Sequence, residues 1–340
     1  MKIDIKIKDK FDLNLKIQWE DLQQNSNISF FQTFKWQKYW YEKCGNNLVN
    51  IITMVYKNDE LISILPLNIK KIKLLKILNW NGFPFSDFNQ PITKQNTNLN
   101  SKDFKFIISE LHSIYKFDNV HLINCVDTGY LNKKKIKSND ISKLIFFKNG
   151  TDDKIIKNFK KKINYDKNRL SNNFKYEINI NENNKNEILD FFFKEKYKQL
   201  ERTKAWNYLN NEDYKKYIYD LIEFDNRNLC FSCLKINKKI ISSHIGYIYN
   251  NIYYYIFPVY DKNFKKYSPG NILLSKLIDN YKAKKFNLFD FTIGNELYKK
   301  KLINFIDQTY EIVSFYSFFG IFYNLKVKAK LKIKTFLIKR

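Results

Sequence analysis

Two stretches of the chain are built alike: LVNIITMVYKNDELISILPLNI (Leu48–Ile69) and NLCFSCLKINKKIISSHIGYIY (Asn228–Tyr249). In each, two β-type runs flank a short polar turn, Lys57-Asn58-Asp59-Glu60 in the first and Asn237-Lys238-Lys239 in the second, so each predicts a β-hairpin. Each hairpin is followed by a segment of helical period and then a short strand, DFKFIISELHSIYKFDNVHLINC in one half and GNILLSKLIDNYKAKKFNLFDFT in the other. Order and rough spacing both repeat, from Asn58 to Val120 and from Asn237 to Leu288. A duplicated α/β module explains this most economically.

A length of 340 residues leaves room for two domains, and 44% hydrophobic with 17% aromatic residues is a globular rather than a disordered composition. Between the modules, DDKIIKNFKKKINYDKNRLSNN (Asp152–Asn173) reads as a basic helix with Ile155, Ile156, Phe159 and Ile163 on its apolar side. The expected division is 1–150 for the first module, 151–311 for the second and 312–340 for a basic amphipathic tail. The tail has no acidic residue after Glu311, and either lies on an anionic membrane or packs on the second module.

The 60 Lys+Arg against 34 Asp+Glu give a formal charge of +26, which points toward nucleic acid, an anionic membrane or anionic substrates. The excess is almost all Lys and comes with abundant Asn, Ile, Phe and Tyr, the joint bias that an AT-rich genome produces. Part of the charge therefore carries no message about partners, and no sequence-specific nucleic-acid partner is expected. The N-terminus MKIDIKIKDKFDL lacks the apolar core of a signal peptide, and the most apolar window, Ile312–Leu325, falls short of a spanning helix. The expectation is a cytoplasmic protein, with peripheral contact at the inner membrane face as its variant.

Nucleophile elbows, P-loops and HExxH motifs are absent from the sequence. Cys230 and Cys233 form one CxxC without a second pair and sit in a strand-like run, so they read as buried thiols; three His make a metal site improbable. Three features of the second module carry chemistry. His244 alternates with Ser242 and Gly246 and offers a base or a hydrogen-bond donor. The loop Tyr267-Ser268-Pro269-Gly270-Asn271 feeds a helix, whose N-terminal N–H groups and dipole favour an anion such as a pyrophosphate. Asp290 lies in a strand followed by Gly294 and a helix bearing Tyr298 and Lys299. A carboxylate beside a phenol and a cation can serve acid–base chemistry or hydrogen-bond the turn that follows it.

In this order the blocks ISSHIGYIYNNIYYYIFPVYD, YSPGNILLSKLID and FDFTIGNELYKKKL resemble the GNAT-type acyltransferase domain of CelD-type polysaccharide-biosynthesis proteins, relatives of the Fem-type peptidyltransferases that carry two GNAT modules. In the first module SFFQTFKWQKYWYEKCG, LISILPL and LNWNGFPFSDFNQPI carry the likeness, which spans roughly residues 28–305. The resemblance implies an α/β (α+β) fold of two tandem modules, each a mixed, mostly antiparallel sheet flanked by helices. It implies an acyl-CoA donor, acetyl-CoA or another, held at Ser268, Pro269, Gly270 and Asn271, with no metal. Asp290, Gly294, Tyr298 and Lys299, the family's D-x-x-x-G-x-x-x-Y-K pattern, are implied to border the acceptor and the reacting carbonyl. The pyrophosphate signature departs from the general one: Tyr267 stands for its leading Arg or Gln and Ile272 for its final small residue. The first module has no SPG-like loop, and is expected to have lost donor binding and to help form the acceptor groove.

The resulting expectation is transfer of an acyl group to an amine or hydroxyl of a sugar, glycan or lipid-linked precursor. Asp290 or His244 takes the proton, and Lys160, Lys161, Lys162 and Arg169 meet acceptor phosphates. Aminoacyl transfer from tRNA to a cell-wall precursor, and a non-catalytic scaffold in polysaccharide assembly, are the rival readings.

Overall fold

The computed structural model describes residues 3–338 apart from 98, 133–134, 149 and 295, with side chains described up to residue 329. Strand β1 (Ile3–Lys8) is followed by helices α1 (Leu13–Gln24) and α2 (Phe34–Cys44), capped by the side chains of Asp12 and Thr33. The first hairpin forms as β2 (Val49–Lys57) and β3 (Glu60–Ile72); Asn58 and Asp59 at its tip have φ of 50° and 62°, the primed turn that matches strand twist. Then come β4 (Leu75–Trp80), the short β5 (Ile92–Thr93), α3 (Ser101–Tyr115) and β6 (Asn119–Val126).

β7 (Ile136–Ile145) leads to the basic helix α4 (Thr151–Ser171), β8 (Tyr176–Ile180), α5 (Lys185–Thr203), α6 (Glu212–Tyr219) and the single turn α7 (Leu221–Phe224). The second hairpin is β9 (Leu229–Ile236) and β10 (Lys239–Tyr249), turning at Asn237 and Lys238 with φ of 48° and 65°. A third primed turn at Asn250 and Asn251 leads into β11 (Ile252–Tyr260), then α8 (Pro269–Ala283) and β12 (Leu288–Ile293). β13 (Phe305–Phe315) and α9 (Phe318–Ile338) close the chain.

The chain divides into two compact units, residues 1–139 with 308–340, and residues 140–307. In the first, strand order is β1-β2-β3-β4-β6-β13, with β4 and β6 parallel and the other neighbours antiparallel. In the second it is β8-β9-β10-β11-β12-β7, with β11 and β12 parallel and the others antiparallel. The two orders superpose strand for strand, so each unit is one copy of the repeat. Relative to the repeat the sixth strands are exchanged: β7, which follows β6, falls mostly in the second unit, and β13, which follows β12, mostly in the first. Residues 140–150, grouped by sequence with the first module, therefore pack in the second, and 312–315 extend a strand.

The core of the second unit lies where α4 and α8 cover the sheet: Ile156, Ile163 and Leu170 of α4 meet Leu274, Leu277, Ile278 and Tyr281 of α8 over Tyr253, Phe289 and Phe291. Asp152 is buried at the start of α4 and accepts the Phe147 N–H at 3.0 Å and the Lys282 ammonium at 2.5 Å. Cys230 and Cys233 are buried free thiols, and burial pushes Cys233 up to about 12, far from a reactive thiolate. The helix expected after Gly294 is reduced to one 3-10 turn, Lys299–Lys301, because the few residues between β12 and β13 are folded back by Lys299.

Candidate active site

The site begins with a parting of strands. β11 and β12 pair only from Ile252 to Tyr254 against Leu288 to Asp290; beyond that point no pairing joins them among the described residues, although β11 runs on to Tyr260 and β12 to Ile293. On the β10 side β11 carries a bulge: Ile245 faces Phe257 and Gly246 faces Tyr255, leaving Ile256 as an extra residue. The extra residue inverts the two-residue alternation, so Tyr255, Pro258 and Tyr260 all line one cleft of about 340 Å³. A regular strand would turn Pro258 away from Tyr255.

The N-terminus of α8 enters this cleft through Ser268, Pro269, Gly270 and Asn271. Ser268 has φ 51°, its side chain caps no amide, and Pro269 opens the helix. The corresponding helix of the first unit, α3, is closed off: Asn100 accepts the N–H groups of Lys102 and Asp103, and the Asp103 carboxylate accepts from the Asn100 N–H. A Cβ on Gly270 would lie 3.7 Å from Tyr260 and 4.0 Å from Ser242, so the protein leaves that space open. Arg202 and Lys265 bring two exposed cations to the same cleft.

The opposite wall comes from α5 and the segment after β12. Glu195 is buried, accepts the Lys198 ammonium at 2.8 Å and lines the cleft with Gln199. Glu296 and Tyr298 complete the wall, and burial drives the Tyr298 phenol far above its ordinary range, so it stays protonated. Among the described residues no group of His, Cys, Asp or Glu is arranged to hold a metal ion, and no helix is long and apolar enough to cross a membrane.

Residues 157–300 match the family model described as an acetyltransferase (GNAT) domain. The chain carries a GNAT-type acyltransferase domain. Its fold is also that of whole solved chains. FemX is similar with 10% identity and TM-score 0.57 over 92% of this chain and 97% of that one. A tandem GNAT protein from the clavulanic acid biosynthesis pathway is similar with 7% identity and TM-score 0.53 over 92% and 98%. A third is the C-terminal domain of a putative lysylphosphatidylglycerol synthetase from Agrobacterium fabrum, with 8% identity and TM-score 0.52 over 88% and 90%. No curated protein matches the sequence.

Of the residues singled out in the GNAT domain by sequence, Ser268, Pro269, Gly270, Asn271 and Tyr298 meet at the cleft. Lys299 stands behind it, 3% exposed, donating to the Ile293 carbonyl at 2.8 Å and pairing with Glu296 at 2.9 Å. Gly294, with φ 132°, makes room for this: a Cβ there would sit 2.3 Å from Glu296 Oε2 and 2.8 Å from Lys299 Nζ. Asp290 and His244 are not among the lining residues. Asp290 is buried, and its Oδ1 accepts the Thr292 N–H at 2.7 Å across the irregular end of β12, where Thr292 has φ 57°. His244 is fully buried, its ring stacked on Tyr255 at 3.9 Å and its Nδ1 2.9 Å from the Tyr253 hydroxyl; burial pushes it well below its usual range, so it stays neutral. Gly246 permits this, since a Cβ would fall 2.3 Å from the Tyr253 oxygen. On α4, Lys161 is exposed, Lys160 is held by Asp279 at 2.6 Å, and the Arg169 guanidinium lies 5.7 Å over the Tyr267 ring.

Sequence reasoning missed Glu195, Gln199, Arg202 and Glu296. For α5 a signal existed: the buried stripe of Ile188 and Phe192 continues at helical spacing into Glu195 and Gln199, polar side chains where an apolar face is due.

Proposed function

We propose that the chain transfers an acyl group, acetyl in the simplest case, from an acyl-CoA thioester to an amine or hydroxyl of a sugar, glycan or cell-envelope precursor, as the CelD-type resemblance suggests. The observation that carries this reading is the parting of β11 and β12 beside the uncapped N-terminus of α8. Such a parting leaves a strand-like slot for an extended thioester arm, and the helix end with Arg202 and Lys265 suits a pyrophosphate.

In this reading the acceptor nitrogen or oxygen attacks the carbonyl carbon, the carbon–sulfur bond breaks, and the acceptor proton passes to Glu195. Tyr298, held protonated, gives a proton to the departing thiolate. Asp290 and His244 act at one remove, Asp290 by fixing the turn at Thr292 and His244 by backing the Tyr255 ring. Lys299 holds Glu296 and the turn after Gly294, and Arg169 and Lys161 offer cations to acceptor phosphates.

One observation favours a second donor. Tyr267 and Ile272 stand where the pyrophosphate signature has Arg or Gln and a small residue, which suits an aminoacyl-tRNA donor of the Fem type. Thermal shift separates the two. Acetyl-CoA in hundredfold excess over its Kd should raise Tm by about 4 °C, and charged tRNA should not. Glu195→Gln should lower kcat about a hundredfold with KM for acyl-CoA unchanged. No response to any acyl-CoA sinks the first donor, and stabilisation by charged tRNA alone establishes the second.

A further inference from the structure

Within the first unit α9 is attached by its polar side. Gly320 lies against β6 so closely that a Cβ would fall 2.5 Å from the Asp118 carbonyl oxygen and 2.9 Å from Asn119 Oδ1. Asn119 Nδ2 donates to the Gly320 carbonyl at 2.9 Å, the Tyr323 hydroxyl lies 3.0 Å from His121 Nδ1, and Asn324 is buried. The side left bare is the apolar one: Phe318, Phe319, Phe322 and Leu325 are 69%, 68%, 61% and 60% exposed, with the Phe318 and Phe322 rings 5.5 Å apart. A surface helix of a soluble domain ordinarily does the reverse, burying its apolar stripe and showing its polar one. Four large side chains held in water at one place call for a partner.

Charge identifies the partner. Beyond Glu311 the chain has no acidic residue, while Lys326, Lys328, Lys330, Lys332, Lys334, Lys339 and Arg340 follow the aromatic cluster. Lys326 and Lys328 are exposed. A second copy of the chain, formally +26, would bring like charge against like. An anionic bilayer surface matches both halves of the helix: aromatic and leucine side chains enter the headgroup–acyl boundary, and flexible lysines reach the phosphates. We propose that α9 is an interfacial helix that seats Phe318, Phe319, Phe322 and Leu325 in the surface of an anionic lipid bilayer, lying on the membrane rather than crossing it. This stands whether or not the acyl donor is CoA.

Sedimentation of the full chain with vesicles tests it. Vesicles of equal parts phosphatidylcholine and phosphatidylglycerol should pellet the chain, with affinity at least about tenfold above phosphatidylcholine alone and falling with added salt. The combined substitution Phe318→Ser, Phe319→Ser and Phe322→Ser should abolish pelleting with Tm unchanged, because these rings touch solvent. Separately, tryptophan emission of the Phe322→Trp chain should shift to the blue when the anionic vesicles are added. Absence of pelleting, pelleting that survives the triple substitution, or self-association that the triple substitution abolishes without any vesicle binding would each overturn the proposal. Should the triple variant fail to fold, an unshifted Phe322→Trp emission overturns it alone.

Discussion

His244 stacks on Tyr255, its Nδ1 meets the Tyr253 hydroxyl, and burial keeps its ring neutral in the folded state. The unfolded chain takes up a proton at this position below about pH 6.5 and the folded chain does not. The contribution of this group to stability is therefore full above that pH and declines as pH falls toward the lower folded value, at no more than about 1.4 kcal/mol per unit. Tm should fall between about pH 7.5 and 5.5, and His244→Gln should flatten that part of the profile. Scanning calorimetry at several pH values decides it; an unchanged slope in the variant removes His244 from the account. The same contrast explains what could be read at the level of residues. Gly294, Tyr298 and Lys299 were singled out through the family resemblance; in the structure only Tyr298 of the three lines the cleft, and Lys299 is turned back onto Glu296 and the Ile293 carbonyl. Glu195 was marked in the sequence only as a polar side chain on the apolar stripe of α5; that β11 and α8 converge on it is not written in its neighbourhood.

Helix α8 presents its first turn to the cleft, and Gly270 is the point where the two roles of that turn can be separated. An Ala side chain there meets only ordinary contacts, at 3.7 Å and 4.0 Å, and Ala favours helix over Gly by up to about 1 kcal/mol. Gly270→Ala should keep or raise Tm while weakening acyl-CoA binding about tenfold, because the methyl group occupies space a pyrophosphate needs. Calorimetric titration alongside a melt checks both halves; unchanged affinity would remove the cleft's anion role. Hairpins, helices and the α8 loop were legible as elements because turn residues and periodicity are local. The bulge at Ile256 was not, as it shows itself only in the pairing of β11 with β10, and the helix after Gly294 was overread because its polar residues are used to fold the chain back instead.

At the scale of the molecule, the repeat was visible in the sequence and the exchange of sixth strands was not, because a strand's pattern names its buried face and not its partner. The exchange makes an unusual prediction about fragments. Residues 136–307 hold all six strands of the second unit, whereas a fragment starting at 151 lacks β7 and leaves β12 with an open edge. The longer fragment should melt cooperatively and the shorter should not, as followed by circular dichroism; equal cooperativity would show that β7 is dispensable.

The same exchange sets an order of events at the ribosome. The unit that begins first finishes last: β6 is synthesised early, but its neighbour β13 emerges only after the whole of the second unit has been made. At roughly 5–20 residues per second, the β6 edge waits on the order of ten to forty seconds, exposed as a template for any passing strand. A nascent chain of this design depends on whatever shields that edge until its own C-terminus arrives.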